Sequence, residues 1–567
     1  MSEWGIVYSD LHSHHEGFAV TLLKPPASQG TSIMPTCSPS RVVFALLLTL
    51  PLSAAPPLHQ RIDQLMSQSS TKVAAPASDA ELLRRATLDF HGTIPTSTEA
   101  RTFLSDNSQD KRTKLIERLL DAPEYARHFS EIFDLMLLER RAGKNVPTRE
   151  WTEFLRTALL KNRPWNEIVH EILSADGVDV KKRGPAKFYF VRNAEPNLVT
   201  KDISRLFLGM NVECAQCHDH PVVEEYKQHF YYGIYAFVNR SYIVRDAKLK
   251  RNVLSEKGVG EVTFTSVFDP KKVTKKTGPR LPYRAMLKEP KLVKGKEYKV
   301  KPAKNRRGVP TFSRRALLGP ELTRLDYQAF ARNLANRLWA HLMGRGLVDP
   351  IDMHHPDNPP SHPKVLQTIT EEVVNSKFNI KHILRELALT KVYQRSSALP
   401  SGMKARDEGS FDVMHLKAIP PEALGRTILQ ATGMTDIYRR SLRTKLNEGT
   451  LHAQIAKLRA PLVRALAGDP GQIEEFVPTL EQALFVANNS LIQTWITPRG
   501  GNLVDRLLKI KDPKTMAEEL YLGVLTRMPS SEESKDLIEY VKTTKKSDAL
   551  QDYVWALLAS AEMRFNH

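Results

Sequence analysis

Residues 214–221 read CAQCHDHP, and Cys214, Cys217 and His218 within them have the types and the spacing for covalent or coordination chemistry. Two thiols one turn apart can add to the two vinyl groups of haem, and the imidazole that follows at once then reaches the iron as proximal axial ligand. The same stretch offers Cys214, Cys217, His218 and His220 as four soft or borderline donors of the kind zinc accepts. One short segment rarely wraps all four corners of a tetrahedron, which counts against zinc. A disulfide is the third reading, since a close pair of cysteines in an oxidising compartment tends to bridge, but it leaves the histidine without a task. Haem c is therefore the expected cofactor, with zinc or no cofactor as the alternatives. A low-spin haem also needs a ligand on its opposite face, and Met210, His229, Met343 and Met353 qualify equally.

A second group lies in the proline-rich stretch VDPIDMHHPDNPPSHPKVL, where Asp352, His354, His355, Asp357 and His362 could serve metal binding or proton transfer. Loop histidines are more often plain surface residues, and spacing alone makes this a weak site. Pro359 and Pro360 are placed to shape a turn before the next helix. The chain has no P-loop, no G-x-S-x-G elbow and no H-E-x-x-H helix, so no catalytic nucleophile is nominated. A glycosidase pair among the many carboxylates is a spatial property that sequence does not give.

The cysteine chemistry depends on where the chain resides. Met34 opens a tripartite pattern of a segment ending in Arg41, the apolar run VVFALLLTLPL and the small residues SAAPP, which reads as a signal peptide over 34–55. Residues 1–33 then form an extension ahead of the true start. Cys37 would leave with the signal, so Cys214 and Cys217 would be the exported chain's only cysteines. No later stretch is long and apolar enough for a transmembrane anchor. The expected location is periplasmic, extracellular or cell-surface.

The elements that must position these residues read as mostly helical. SDAELLRRATLDF and IPTSTEARTFL each open with a capping pattern, Ser78 to Glu81 and Thr96 to Glu99, and MPSSEESKDLIEYV repeats it with Ser530 and Glu533. Pro123 breaks a longer helical period. LTRLDYQAFARNLANRLWAHLMGRG is amphipathic through Phe330, Leu334, Leu338 and Trp339, with Gly344 and Gly346 placed to end it. Between the helical regions the composition changes: residues 241–315 hold 22 Lys or Arg against 6 Asp or Glu, or +16 of the chain's +19. Strand-like EVTFTSVF and KEYKVK lie inside this run. The expected fold class is mainly α: a linker over 56–78, a helical domain over 79–240 carrying the C-x-x-C-H motif, a small basic β-rich insert over 241–315 and a second helical domain over 316–567. Such a basic face suits an acidic polysaccharide, a cell-surface polymer or an acidic redox partner, though a solvated lysine-rich surface is the plainer reading. Nucleic acid is not the expected partner, because no recognised nucleic-acid module occurs.

LLRRATLDFHGTIPT, RLFLGMNVECAQCHDHP with FYYGIYAFVNR, NRLWAHLMGRGLVDPID with NPPSHPKVL and VYQRSS, and finally LYLGVLTRMPSSEE resemble successive signatures of exported proteins. These proteins, abundant in planctomycetes and related bacteria, join domain of unknown function 1549, which is cytochrome-associated, to domain of unknown function 1553. The resemblance spans roughly 58–567, with the cysteine and GRGLVDP segments its most specific parts. It implies an extracytoplasmic redox setting and maps Cys214, Cys217, His218, Asp219, His220 and Pro221 onto the family motif, while His91, His354 and His355 depart from the family pattern. Three function classes follow: a c-type haem or redox-binding protein, a non-catalytic scaffold binding acidic polymers, and a carbohydrate-processing enzyme suggested only by the lineage.

Overall fold

Local chemistry sets the helix ends. Thr96 and Ser530 form full capping boxes with Glu99 and Glu533. Ser78 forms half of one: its hydroxyl accepts from the Glu81 N–H, but the Glu81 carboxylate turns to the Arg85 guanidinium and the Ser397 N–H, each at 2.7 Å. A tertiary contact there displaces the local one. Pro123 begins a new helix, Pro123–Leu138, directly after Lys111–Asp121. Gly344 ends the helix Gln328–Met343 at φ 85°, its N–H reaching the Ala340 carbonyl. Gly346 lies beyond that helix, in a place where a Cβ would collide with the Val348 carbonyl.

The computed structural model describes residues 56–68, 72–143, 145–402, 408–442, 447–467 and 489–567, which belong to one compact unit running from Pro56 to His567. The expected signal segment and the extension before it lie outside the described residues. The chain is mainly α, with short two-stranded antiparallel ladders. Three of them occupy the basic stretch: Ser241–Asp246 with Arg251–Glu256, Val262–Phe264 with Lys275–Thr277, and Tyr298–Val300 with Val309–Pro310. The first carries no clean alternation, because Arg245, Lys248, Lys250 and Arg251 crowd it, so in sequence it merges into the charge run. Among the described residues no helix is long and apolar enough to cross a membrane.

Two apolar interiors organise the helices. The larger draws mainly on residues from Leu58 to Val238 and again from Leu318 to Met414, so the helices on either side of the basic stretch share one core. The smaller runs from Ile419 to Met563 and takes in Leu88 and Ile94. The helix Asp79–His91 serves both, with Leu82, Leu83, Ala86 and Phe90 in the first and Leu88 in the second. Its Asp89, 4% exposed, stands at the seam: one oxygen accepts from Lys417 Nζ at 2.5 Å and Asn566 Nδ2 at 2.8 Å, the other from the Tyr393 hydroxyl at 2.9 Å. Burial holds Lys417 below the usual lysine range, against the pull of Asp89.

Candidate functional site

The segment leading to the cysteines is fixed by backbone before any side-chain chemistry begins. The helix Pro196–Ile203 passes into a π turn, Ser204–Leu208, which Gly209 closes at φ 66°. A Cβ at Gly209 would stand 2.5 Å from the His354 ring, so this position needs glycine for both conformation and space. The Ser204 hydroxyl donates to the Met210 carbonyl at 2.6 Å. Asp202, just before the turn, meets Arg192 and Arg141 at 2.6 Å and Arg205 at 3.1 Å; burial alone would raise its pKa, and the three guanidiniums hold it at about 2.

Met210, Val212 and Ala215 are fully buried and root the motif in the core. Cys214–Gln216 is a single 3-10 turn, continued by the Cys217 N–H donating to the Cys214 carbonyl at 3.2 Å. With Ala215 pointing inward, Cys214 and Cys217 both face solvent as unpaired thiols. The turn is held from outside by the Tyr232 hydroxyl, which donates to the Gln216 carbonyl at 2.9 Å, and by the Val267 N–H, which donates to the Cys217 carbonyl at 3.0 Å. Tyr232 itself stacks on Phe264 with ring centroids 4.6 Å apart.

The three polar residues after the cysteines have different tasks. His218 Nδ1 is 2.6 Å from the Asp219 carbonyl, an acceptor, so Nδ1–H donates there and in the neutral ring Nε2 is the atom with the lone pair. Phe268 lies against its ring, centroids 4.6 Å apart. The Asp219 carboxylate accepts from the Gln228 N–H at 2.8 Å, at the head of the helix Gln228–Val238. His220 Nδ1 accepts from the N–H groups of Val222 at 3.2 Å and Val223 at 2.9 Å, and the ring packs edge-on to Tyr226. Desolvation, followed by the nearby His355 and His218, keeps His220 below the usual histidine range. Asp219 and His220 thus shape the turn, which leaves Cys214, Cys217 and His218 Nε2 as the motif's uncommitted donors.

The second sequence cluster is spread along a brace. The Asp352 carbonyl accepts from the Asn211 N–H at 2.8 Å, the His354 N–H donates to the Gly209 carbonyl at 2.9 Å, and the His354 carbonyl accepts from the Tyr226 hydroxyl at 3.0 Å. This loop therefore clamps the chain on both sides of the cysteines. The His354 ring is buried, with Asn336 Nδ2 donating to its Nε2 at 3.4 Å. Burial, helped by Arg332 and Arg337, pushes His354 down to about 3. His355 lies edge-on to Tyr226 with Nδ1 4.0 Å from the Asp357 carboxylate, and His362 sits beside Ser361 and Phe411. The structure does not gather these five side chains at one point. Among the described residues no group of three or more His, Cys, Asp or Glu side chains stands in a metal-holding arrangement. Of the distal-ligand candidates, Met210 and Met343 are fully buried, Met353 pairs backbone-to-backbone with Met210, and His229 is half-buried beside Phe230.

Fold and site define a mostly helical protein that displays a C-x-x-C-H turn on its surface. Two family models match in order, each described as a protein of unknown function: DUF1549 over residues 57–242 and DUF1553 over 314–541. The chain belongs to the proteins that join these two domains, with the cysteine motif inside the first and the hairpin of Val267 and Phe268 between the two matches. No curated protein and no solved structure matches it.

Proposed function

We propose that the protein is an exported redox-binding protein that carries one c-type haem at its surface. The observation that carries this reading is the division of labour within residues 214–220: two exposed thiols on one turn and one imidazole with Nε2 uncommitted, while Asp219 and His220 are consumed by the backbone. Cys214 and Cys217 would each add S–H across one vinyl group, the sulfur bonding to one vinyl carbon and the hydrogen to the other, with no net oxidation. His218 Nε2 would be the proximal ligand, and the Asp219 carbonyl fixes the tautomer that frees it. When bound, such a group supplies one-electron chemistry. The protein's own contribution is a rigid seat: the π turn, the buried Ala215 and the brace at 352–354 hold the turn without leaning on the donors. Attachment outside the cytoplasm agrees with the signal-like segment over 34–55.

The test is a pyridine haemochrome spectrum of protein exported in a host competent for cytochrome c maturation, with Cys214→Ala/Cys217→Ala alongside. The wild type is expected to give a c-type spectrum and the double variant none. A colourless wild type overturns the haem reading and leaves disulfide and zinc to thiol and metal analysis.

A further inference from the structure

We infer that the tip of the hairpin built on Val262–Phe264 and Lys275–Thr277, together with the exposed cysteine turn, is the docking face for an acidic protein partner. The inference rests on the haem reading for what the contact would achieve, but the contact can be measured without it.

The hairpin tip is fastened to the motif: the Val267 N–H donates to the Cys217 carbonyl and Phe268 lies on the His218 ring. The turn beyond is built by Asp269, whose carboxylate accepts from the N–H groups of Lys271 and Val273, each at 3.0 Å. This geometry sets large apolar side chains in water beside Cys217, with Phe268 73% and Val267 66% exposed, and Val222, five residues along the chain from Cys217, is 79% exposed. Such apolar residues held out by a well-bonded turn are the usual core of a contact surface.

Charge identifies the partner. Lys271, Lys272 and Lys275 are exposed and make no ion pair among the described residues. The acids of the same hairpin are already engaged, Glu261 by Lys276 and Asp269 by the backbone. On the motif side Glu213 pairs with Lys201 at 2.6 Å and Asp219 lies 3.7 Å from Lys227, while Glu224 and Glu225 make no ion pair among the described residues. The hairpin tip itself therefore carries an excess of positive charge, from Lys271, Lys272 and Lys275, and it borders an apolar centre. An acidic protein surface complements both features. A polyanion has no use for the apolar centre and would spread over the whole basic stretch. The tip lies between the two family matches, so the first matched domain supplies the motif and the stretch between the matches supplies the rim.

The probe is an acidic [2Fe–2S] ferredoxin, titrated against the full exported protein by calorimetry at low and high ionic strength. Lys271→Glu/Lys272→Glu/Lys275→Glu is compared with Lys291→Glu/Lys294→Glu/Lys296→Glu, which changes net charge equally elsewhere on the insert. Phe268→Ser tests the apolar centre, and circular dichroism verifies that each variant is folded. The expected result is binding that weakens with salt, about tenfold weaker or more for the tip charge variant, weaker for Phe268→Ser and within about threefold of wild type for the control. No binding by the wild type, or equal losses in the two charge variants, overturns the inference; equal losses together with tight heparin binding would mark a diffuse polyanion surface instead. A haemochrome spectrum of the same sample separates the two ideas, because binding by colourless protein would keep the docking face and remove the haem.

Discussion

Asp89→Ala is expected to lower stability to unfolding by about 3–5 kcal/mol, the usual cost of stranding one member of a buried charge pair. Lys417 would keep its ammonium in the seam between the two cores with only the His341 and Leu342 carbonyls as partners, and Tyr393 and Asn566 would each lose an acceptor. The cavity adds to the loss. Urea denaturation followed by far-ultraviolet circular dichroism measures it. The double variant Asp89→Ala/Lys417→Met should recover much of the loss, since it removes the stranded charge as well. A single variant within about 1 kcal/mol of wild type, the upper end of what a surface pair contributes, would show that the seam is wet and the pair unimportant.

Acid is expected to act through His354. In the unfolded chain an imidazole takes up a proton below about pH 6.5, whereas His354 in the folded protein stays neutral down to about 3. Between those values the unfolded state binds more protons. The contribution of this group is therefore fully present above pH 6.5 and is lost progressively as the pH falls toward 3. At pH 5 the loss amounts to roughly 2 kcal/mol, taking about 1.36 kcal/mol per pH unit. His128 and His452, both held below the usual range by burial, push in the same direction, so the wild-type curve alone does not isolate the brace. His354→Gln does, because its amide can still accept from Asn336 and does not titrate. Whatever the variant costs at pH 7, that penalty should shrink by about 2 kcal/mol at pH 5. An unchanged penalty would mean that His354 is as easily protonated folded as unfolded.

The sequence made the cysteine turn legible because its chemistry is local. Two spacings, Cys214 to Cys217 and Cys217 to His218, name the donors, and the full capping boxes at Thr96 and Ser530 are equally local patterns that the fold keeps. The roles of Asp219 and His220 are less visible: an imidazole accepting two N–H groups looks in sequence like a further zinc donor, and a carboxylate accepting from the Gln228 N–H carries no local signature. The loop at 352–354 was misleading in a different way. Its side chains attract attention, yet its contribution to the motif runs mainly through backbone groups, which any residue possesses. In sequence Phe268 is only the end of a strand-like stretch; the strand stops at Phe264, and the side chain's position on His218 comes from a contact some fifty residues distant that no periodicity encodes. The shared interior of the two helical regions likewise depends on packing across the insert.

The most direct measurement of the central claim is the denatured intact mass of protein exported in a cytochrome c-maturing host, with the peptide containing residues 214–218 located by fragmentation. The account predicts the polypeptide plus one haem, carried on Cys214 and Cys217. A mass equal to the bare polypeptide, or lower by two hydrogens with the two cysteines joined, would contradict it.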